Sequence, residues 1–178
     1  MNCIEYSELK KTFTKASIDN MLASFKVSRN QDLDKFLHEE ASKYEKANNT
    51  RNYFIFNDDS EVIGYFTLSI HSLIIDELLP ELDSRTLKKI RGYGKKEARS
   101  VGCYLIGQLA RNDNTEKKEL SGKEILNQIK ILLKIGQNMF GGRFAAIDCI
   151  DELVPFYNKN GFVKVNKKGD LNTMIMFL

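Results

Sequence analysis

Across 178 residues the sequence has only two prolines and three cysteines, and no apolar run approaches the ~18 residues that a membrane-spanning helix needs. The three cysteines (Cys3, Cys103, Cys149) are odd in number, far apart in sequence and free of any CxxC spacing. That pattern excludes a disulfide framework and a structural zinc site, and it predicts a reducing, cytoplasmic setting with no metal. The opening stretch MNCIEYSELKK has no apolar core behind a basic start, so no secretory signal is expected. With so little proline and no low-complexity stretch, repeat or linker, the chain reads as one folded domain over residues 1–178.

What is present is a soluble globular balance, with 42% hydrophobic and 29% charged residues and a net charge of +3. The total hides an asymmetry. Residues 1–80 hold nine basic and thirteen acidic side chains, a net of −4; residues 81–178 hold eighteen and eleven, a net of +7. A polyanionic ligand would prefer the second half.

Periodicity gives a coarse map. Leu33, Phe36, Leu37, Ala41 and Tyr44 recur at helical spacing over residues 31–47. Two β-rich runs, Asn52–Asn57 and Glu61–Ser72, flank the turn Asp58-Asp59-Ser60 and predict a hairpin. Residues 84–91 predict a short helix capped by Ser84, and Gly102–Ala110 a strand. A loop over Arg111–Ser121 leads to a helix from Gly122 to about Met139, stopped by Gly141-Gly142. A strand at Phe144–Ile150, a short helix at Asp151–Asn160 and strands at Phe162–Val165 and Thr173–Leu178 close the chain. A strand, crossover helix and strand make a parallel pair, here inside an otherwise antiparallel sheet, so the fold class is α/β with a mixed sheet.

Two features carry chemistry. In VPFYNKNGF, Val154 to Phe162, Tyr157 sits in a short helix that Gly161 ends before a strand begins. Upstream, the strand GCYLIGQLARN passes through a polar loop to Ser121-Gly122-Lys123 and a long helix. Strand, glycine-containing loop and helix N-terminus together form an anion site, because unpaired backbone N–H groups point outward there.

This succession resembles the GNAT superfamily of acyl-CoA-dependent N-acyltransferases, from about Phe54 to the C-terminus. The similar elements are the hairpin ending in GYFTLS, the strand LIGQLARN, the helix after SGKEIL and the FYNKNGF signature. In more detail the chain looks like the toxin-like, phage- or plasmid-borne branch of that superfamily. The resemblance implies a single domain whose central mixed, mostly antiparallel sheet contains a splayed parallel strand pair, with helices on both faces. It implies acetyl transfer from acetyl-CoA to a primary amine by direct attack. The pantetheine arm would pair with the backbone of Leu109, Ala110 and Arg111 as an added strand. The pyrophosphate would sit on the helix start built from Leu120, Ser121, Gly122, Lys123, Glu124 and Ile125. Tyr157 matches the tyrosine that protonates the departing CoA thiolate.

One place departs from the family pattern. The pyrophosphate loop is usually Gln/Arg-x-x-Gly-x-Gly/Ala; aligned on Gly122, its first position is Glu119 and its last Glu124. A carboxylate there suits the helix dipole and repels phosphate unless it points away. The alternative is therefore a catalytically degenerate module that binds RNA or a protein partner. Lys123, Lys117 and Lys118 can offset the acidic residues. No general base stands out: His71 ends the hairpin strand, Asp76 and Glu77 follow it, and Cys149 reads as a small core residue.

The segment Arg85–Arg99 holds seven positive side chains (Arg85, Lys88, Lys89, Arg91, Lys95, Lys96, Arg99) against one acid, Glu97. The common reading is a solvated loop; the functional one is a tRNA contact, with Tyr93 stacking on a base. The family's toxin-like branch adds an aminoacyl-tRNA acceptor and an antitoxin-like partner. The C-terminal strand MIMFL offers exposed Phe and Ile through which two copies are expected to pair.

Overall fold

The structure is a computed structural model that describes residues 1–80, 82–94 and 97–178. In chain order the elements are β1 (Asn2–Glu5), α1 (Tyr6–Thr12), α2 (Lys15–Leu22), α3 (Gln31–Lys35), a π-helical turn (Phe36–Glu40), α4 (Ala41–Lys46), β2 (Arg51–Phe56) and β3 (Val62–Ile74). A 3-10 turn (Ile75–Glu77) and α5 (Ser84–Arg91) precede β4 (Ser100–Arg111) and α6 (Gly122–Phe140). Then come β5 (Phe144–Cys149), a 3-10 turn (Asp151–Leu153), α7 (Val154–Lys159), β6 (Val163–Lys168) and β7 (Leu171–Phe177). The strands form one seven-stranded mixed sheet in the order β1-β2-β3-β4-β5-β7-β6. The chain divides into two compact units, the first comprising Met1–Ser69 and Ile106–Lys130, the second Ile70–Leu105 and Ile131–Leu178.

In the first unit β1 and β3 flank β2 antiparallel, with Cys3 opposite Ile55 and Phe54 opposite Tyr65. The hairpin turn forms where expected. Asn57 Oδ1 accepts from the N–H of Asp59 and of Glu61, an Asx-type turn that lets Ser60 adopt φ +64°. The helices start on their own caps: Thr14 accepts from Ser17 N–H, and Asn30 from Asp32 and Leu33 N–H. Phe54, Tyr65, Phe25 and Leu37 fill a core with Tyr6 packed edge-on against Phe54 at 5.8 Å between ring centres. The helix expected over residues 31–47 exists, but a π-helical turn interrupts it at Phe36–Glu40. β1 went unread in the sequence because its four residues, NCIE, are too short to display an alternation.

In the second unit β4 and β5 run parallel, in register at Tyr104 with Ala145 and Leu105 with Ala146. β7 is antiparallel to both β5 and β6. Ile90 of α5 is buried against Phe144, Val165 and Ile175 in this unit's core. Two expectations are corrected here. The cap of α5 is Asp83, not Ser84: its carboxylate accepts from the N–H groups of Arg85 and Thr86, which makes Ser84 the first helical residue. The C-terminal MIMFL is not an exposed pairing strand. β7 is flanked on both sides, and Met174, Ile175 and Met176 are buried. Exposed apolar residues of this unit include Ile131, Ile135, Met139 and Phe140 of α6. Among the described residues no helix is long and apolar enough to cross a membrane.

Candidate active site

The proposed cofactor residues of the first unit gather at the end of β4 and the start of α6. Arg111 donates from Nη1 to the carbonyl of Leu120 at 3.2 Å, tying the strand end to the loop. Leu120 and Ile125 are fully buried and pack beside Gly64 of β3, as does the carbonyl of Ala110. A Cβ at position 64 would stand 2.6 Å from Leu120 Cδ2 and 3.3 Å from that carbonyl oxygen, which explains the glycine in GYFTLS. Thr67 of the same motif accepts through Oγ1 from Gln108 N–H at 2.9 Å, and Gly107 leaves room for it. The GYFTLS and LIGQLARN motifs are thus two sides of one contact.

Ser121 is the N-cap of α6. Glu124 reaches back with Oε2 to accept from Ser121 N–H and from Ser121 Oγ, both at 2.6 Å, while Glu124 N–H donates to Ser121 Oγ at 3.3 Å. This is a capping box, with Ser at the N-cap and Glu three residues on. The bonds from Ser121 hold the Glu124 carboxyl below its ordinary pKa, so it is ionised at neutral pH. The second acidic residue of the loop turns elsewhere: Glu119 Oε1 accepts from Asn57 Nδ2 at 3.3 Å. The N–H groups of Glu124 and Ile125 bond back to the Ser121 carbonyl. Those of Gly122 and Lys123 have no partner among the described residues, so two donors at the helix start remain for an anion.

Tyr157 belongs to the second unit. It is buried in α7, with Phe156 and Phe162 edge-on to its ring at 5.1 and 5.3 Å. Phe162 N–H and Asn160 N–H both return to the Tyr157 carbonyl, and Gly161 takes φ +91°, so the FYNKNGF signature is a helix stop that fixes this ring. Burial, and to a lesser degree Cys149, pushes the phenol pKa well above its ordinary value. The hydroxyl therefore keeps its proton through the neutral and mildly alkaline range. Cys149 is itself buried, and burial followed by Asp148 and Asp151 raises its thiol, so no thiolate nucleophile forms there.

Two further surfaces belong to the second unit. A pocket of about 450 Å³ includes His71, Glu77 and Asp148 in its lining; sequence reasoning singled out the first two and missed Asp148, whose only signal was its place in the strand FAAIDC. A second concavity of about 530 Å³ is lined by Lys88, Lys89, Tyr93, Gln137 and Arg143. Part of the predicted basic segment is thus helical, with Arg85, Lys88 and Lys89 exposed on α5 and Tyr93 wholly exposed. Lys95 and Lys96 lie outside the described residues. Arg143 donates from Nη2 to the carbonyls of Ile90 and Arg91, closing the end of α5. Among the described residues no three metal-ligating side chains gather.

No protein-family model and no curated protein sequence matches the chain. Solved structures do. A bacterial toxin matches at TM-score 0.75 and 16% identity, over 99% of this chain and 89% of its own. A tyrosine-to-phenylalanine mutant of KacT matches at 0.74 and 14%, over 99% and 95%. AtaT complexed with acetyl-methionyl-tRNAfMet matches at 0.66 and 17%, over 88% and 86%; AtaT has also been solved with acetyl-CoA and the C-terminus of the antitoxin AtaR. At such identities the likeness is one of architecture, and with its mixed sheet, parallel β4–β5 pair and flanking helices the chain has the GNAT fold.

Proposed function

We propose that the chain is an acyltransferase that moves the acetyl group of acetyl-CoA to a primary amine by direct attack. The observation that carries this reading is the start of α6, where the free N–H groups of Gly122 and Lys123 follow a strand end tied down by Arg111. In this reading the pyrophosphate rests on those two N–H groups, and the backbone of Leu109, Ala110 and Arg111 pairs with the pantetheine amides. The amine nitrogen attacks the thioester carbonyl, the carbon–sulfur bond breaks, the nitrogen sheds one proton, and the departing thiolate takes up one, so no proton is gained or lost overall. Tyr157 supplies the hydrogen bond for that last step. A phenol whose pKa is raised above that of a thiol shares its proton with the thiolate and stays in the donor form at working pH.

The degenerate reading rested on Glu119 and Glu124. Glu119 is bonded to Asn57 and Glu124 to Ser121, and neither bond engages the N–H of Gly122 or Lys123. Two backbone donors at the helix start are therefore left without a partner among the described residues, which favours the enzyme. Calorimetric titration with acetyl-CoA tests it: saturable heat at micromolar to sub-millimolar ligand is expected, and no saturation by several millimolar overturns it.

A narrower reading is favoured by a separate observation. Lys88, Lys89, Arg143 and the wholly exposed Tyr93 line one concavity, and none of the three cations has an acidic partner among the described residues. Cations beside an exposed aromatic suit a nucleic acid. Together with the AtaT neighbour bound to acetyl-methionyl-tRNAfMet, this supports an aminoacyl-tRNA as the amine carrier and a toxin role checked by an antitoxin-like partner. Incubation with labelled acetyl-CoA and total aminoacyl-tRNA should place the label on the aminoacyl group; label only on protein or small amines overturns the tRNA reading.

A further inference from the structure

We infer that the 450 Å³ pocket of the second unit is the seat of the acceptor, built to hold an amine on a small apolar side chain as the ammonium, which sheds a proton to solvent before attack; this rests on the acetyl-transfer reading above. Its floor is apolar, formed by Leu73 of β3, Leu105 of β4 and Ala146 of β5. Its polar lining includes two carboxylates, Asp148 and Glu77. Asp148 stands on β5 two residues beyond Ala146, the last residue registered with β4, so it lies just past the point where the parallel pairing ends. Thr173, its cross-strand neighbour on β7, donates from Oγ1 to Asp148 Oδ1 at 2.7 Å and fixes the carboxylate, leaving Oδ2 without a partner.

Glu77, at the end of the 3-10 turn after β3, brings a second carboxylate to the same cavity. Among the described residues neither Asp148 nor Glu77 has a cation within ion-pair distance. The described lining also holds His71 and Lys168, and the two carboxylates outnumber the lysine. A pocket with an apolar floor and two unpaired carboxylates recognises an ammonium joined to an apolar group, and it disfavours a free carboxylate or phosphate. Strand geometry adds a direction. Asp148 and Cys149 are adjacent on β5 and therefore point to opposite faces, with Cys149 buried and Asp148 exposed. The amine would thus enter on the face of β5 opposite the one that Cys149 presents.

The test is a titration of the full chain, without acetyl-CoA, with L-methioninamide and with N-acetyl-L-methioninamide, followed by NMR line shifts. The free amine should saturate by about 10 mM, and the acetylated amide should bind at least tenfold more weakly because it carries no charge. Asp148→Asn should weaken methioninamide binding about tenfold, and Asp148→Asn with Glu77→Gln further, with unchanged circular dichroism. Equal binding of the two amides, no binding of either, or wild-type affinity in the double variant each overturns the acceptor site. Acetyl-CoA titrated separately into the wild type and into Asp148→Asn keeps the two ideas apart. Failure of the amine with retained acetyl-CoA binding removes only this pocket, whereas failure of acetyl-CoA in the wild type removes the transfer reading.

Discussion

Replacing Gly64 by alanine tests how the first unit holds its candidate anion site. The added Cβ would stand 2.6 Å from Leu120 Cδ2, 3.3 Å from the Ala110 carbonyl and 3.6 Å from Ile125 Cδ1. The first distance requires movement. Leu120 has no solvent-exposed surface and Ile125 has none, so the displaced methyl has nowhere open to go. Overpacking of this kind costs about 1–3 kcal/mol. For a chain of this length each kcal/mol lowers Tm by about 2–4 °C, giving an expected drop of about 2–12 °C in a thermal melt. Gly102→Ala is the matched control: it lies in β4 with nothing within 4 Å of the added carbon, and removing a strand glycine should leave Tm level or slightly raised. Because Leu120 and Ile125 bracket Ser121-Gly122-Lys123, Gly64→Ala should also weaken acetyl-CoA binding several-fold, whereas Gly102→Ala should not. Equal melting temperatures for the two variants would refute the packing argument.

Other perturbations separate the remaining roles. Tyr157→Phe should lower kcat on the order of 10²-fold with acetyl-CoA affinity within about twofold, measured by steady-state kinetics and calorimetry; equal turnover removes the hydroxyl from the reaction. Because burial raises the Tyr157 pKa, its donor form persists below that raised value, so between pH 7 and 10 the wild type should lose no activity through this group. A descending limb in that range that disappears in Tyr157→Phe would contradict this. Glu124→Ala should free the Ser121 N–H and tighten acetyl-CoA binding while lowering Tm through the lost capping box; weaker binding counts against the anion-site reading. Glu45 is buried and accepts from Asn52 N–H at 2.8 Å and Asn52 Nδ2 at 2.9 Å, so Glu45→Ala should cost about 2–4 kcal/mol in urea denaturation by orphaning a fully buried donor. Glu45→Gln, which keeps one acceptor oxygen, should lose less.

The legible parts of this fold were those with a period or a punctuation mark. The hairpin around Asp58-Asp59-Ser60, the long helix after Ser121 and the helix stop at Gly161 all announce themselves through local chemistry, and all formed as expected. Asp83 was overlooked as the α5 cap because Ser84 is an equally good cap residue, and only the bonds to Arg85 and Thr86 N–H decide between neighbours. MIMFL misled because an apolar strand at a chain end reads the same whether it is an edge or lies between β5 and β6; strand order is a tertiary fact. The same holds for Asp148, which in sequence does not differ from any other solvated carboxylate. Its interest comes from Thr173 on another strand and from a cavity whose lining is scattered from residue 71 to residue 173.

Glu124 shows how a departure from the motif that the resemblance implies can be local chemistry. The resemblance puts a glycine or alanine at that position, where a small residue leaves the helix start open to phosphate. With Ser121 three residues earlier, a glutamate there has an alternative: it closes a capping box and satisfies Ser121 N–H and Oγ internally. The carboxylate is thereby turned back toward the N-cap, and it takes one donor, not all of them. Gly122 and Lys123 N–H stay available, and the Lys123 side chain adds a positive charge in the same turn. The helix N-terminus attracts an anion through its remaining N–H groups and its dipole whatever the side chain at one position. What changes is the competition, since an internal anion is already seated one residue before the site. Under the transfer proposal, Glu124 therefore lowers the affinity for the nucleotide end of acetyl-CoA and leaves the N–H groups of Gly122 and Lys123 without a partner among the described residues.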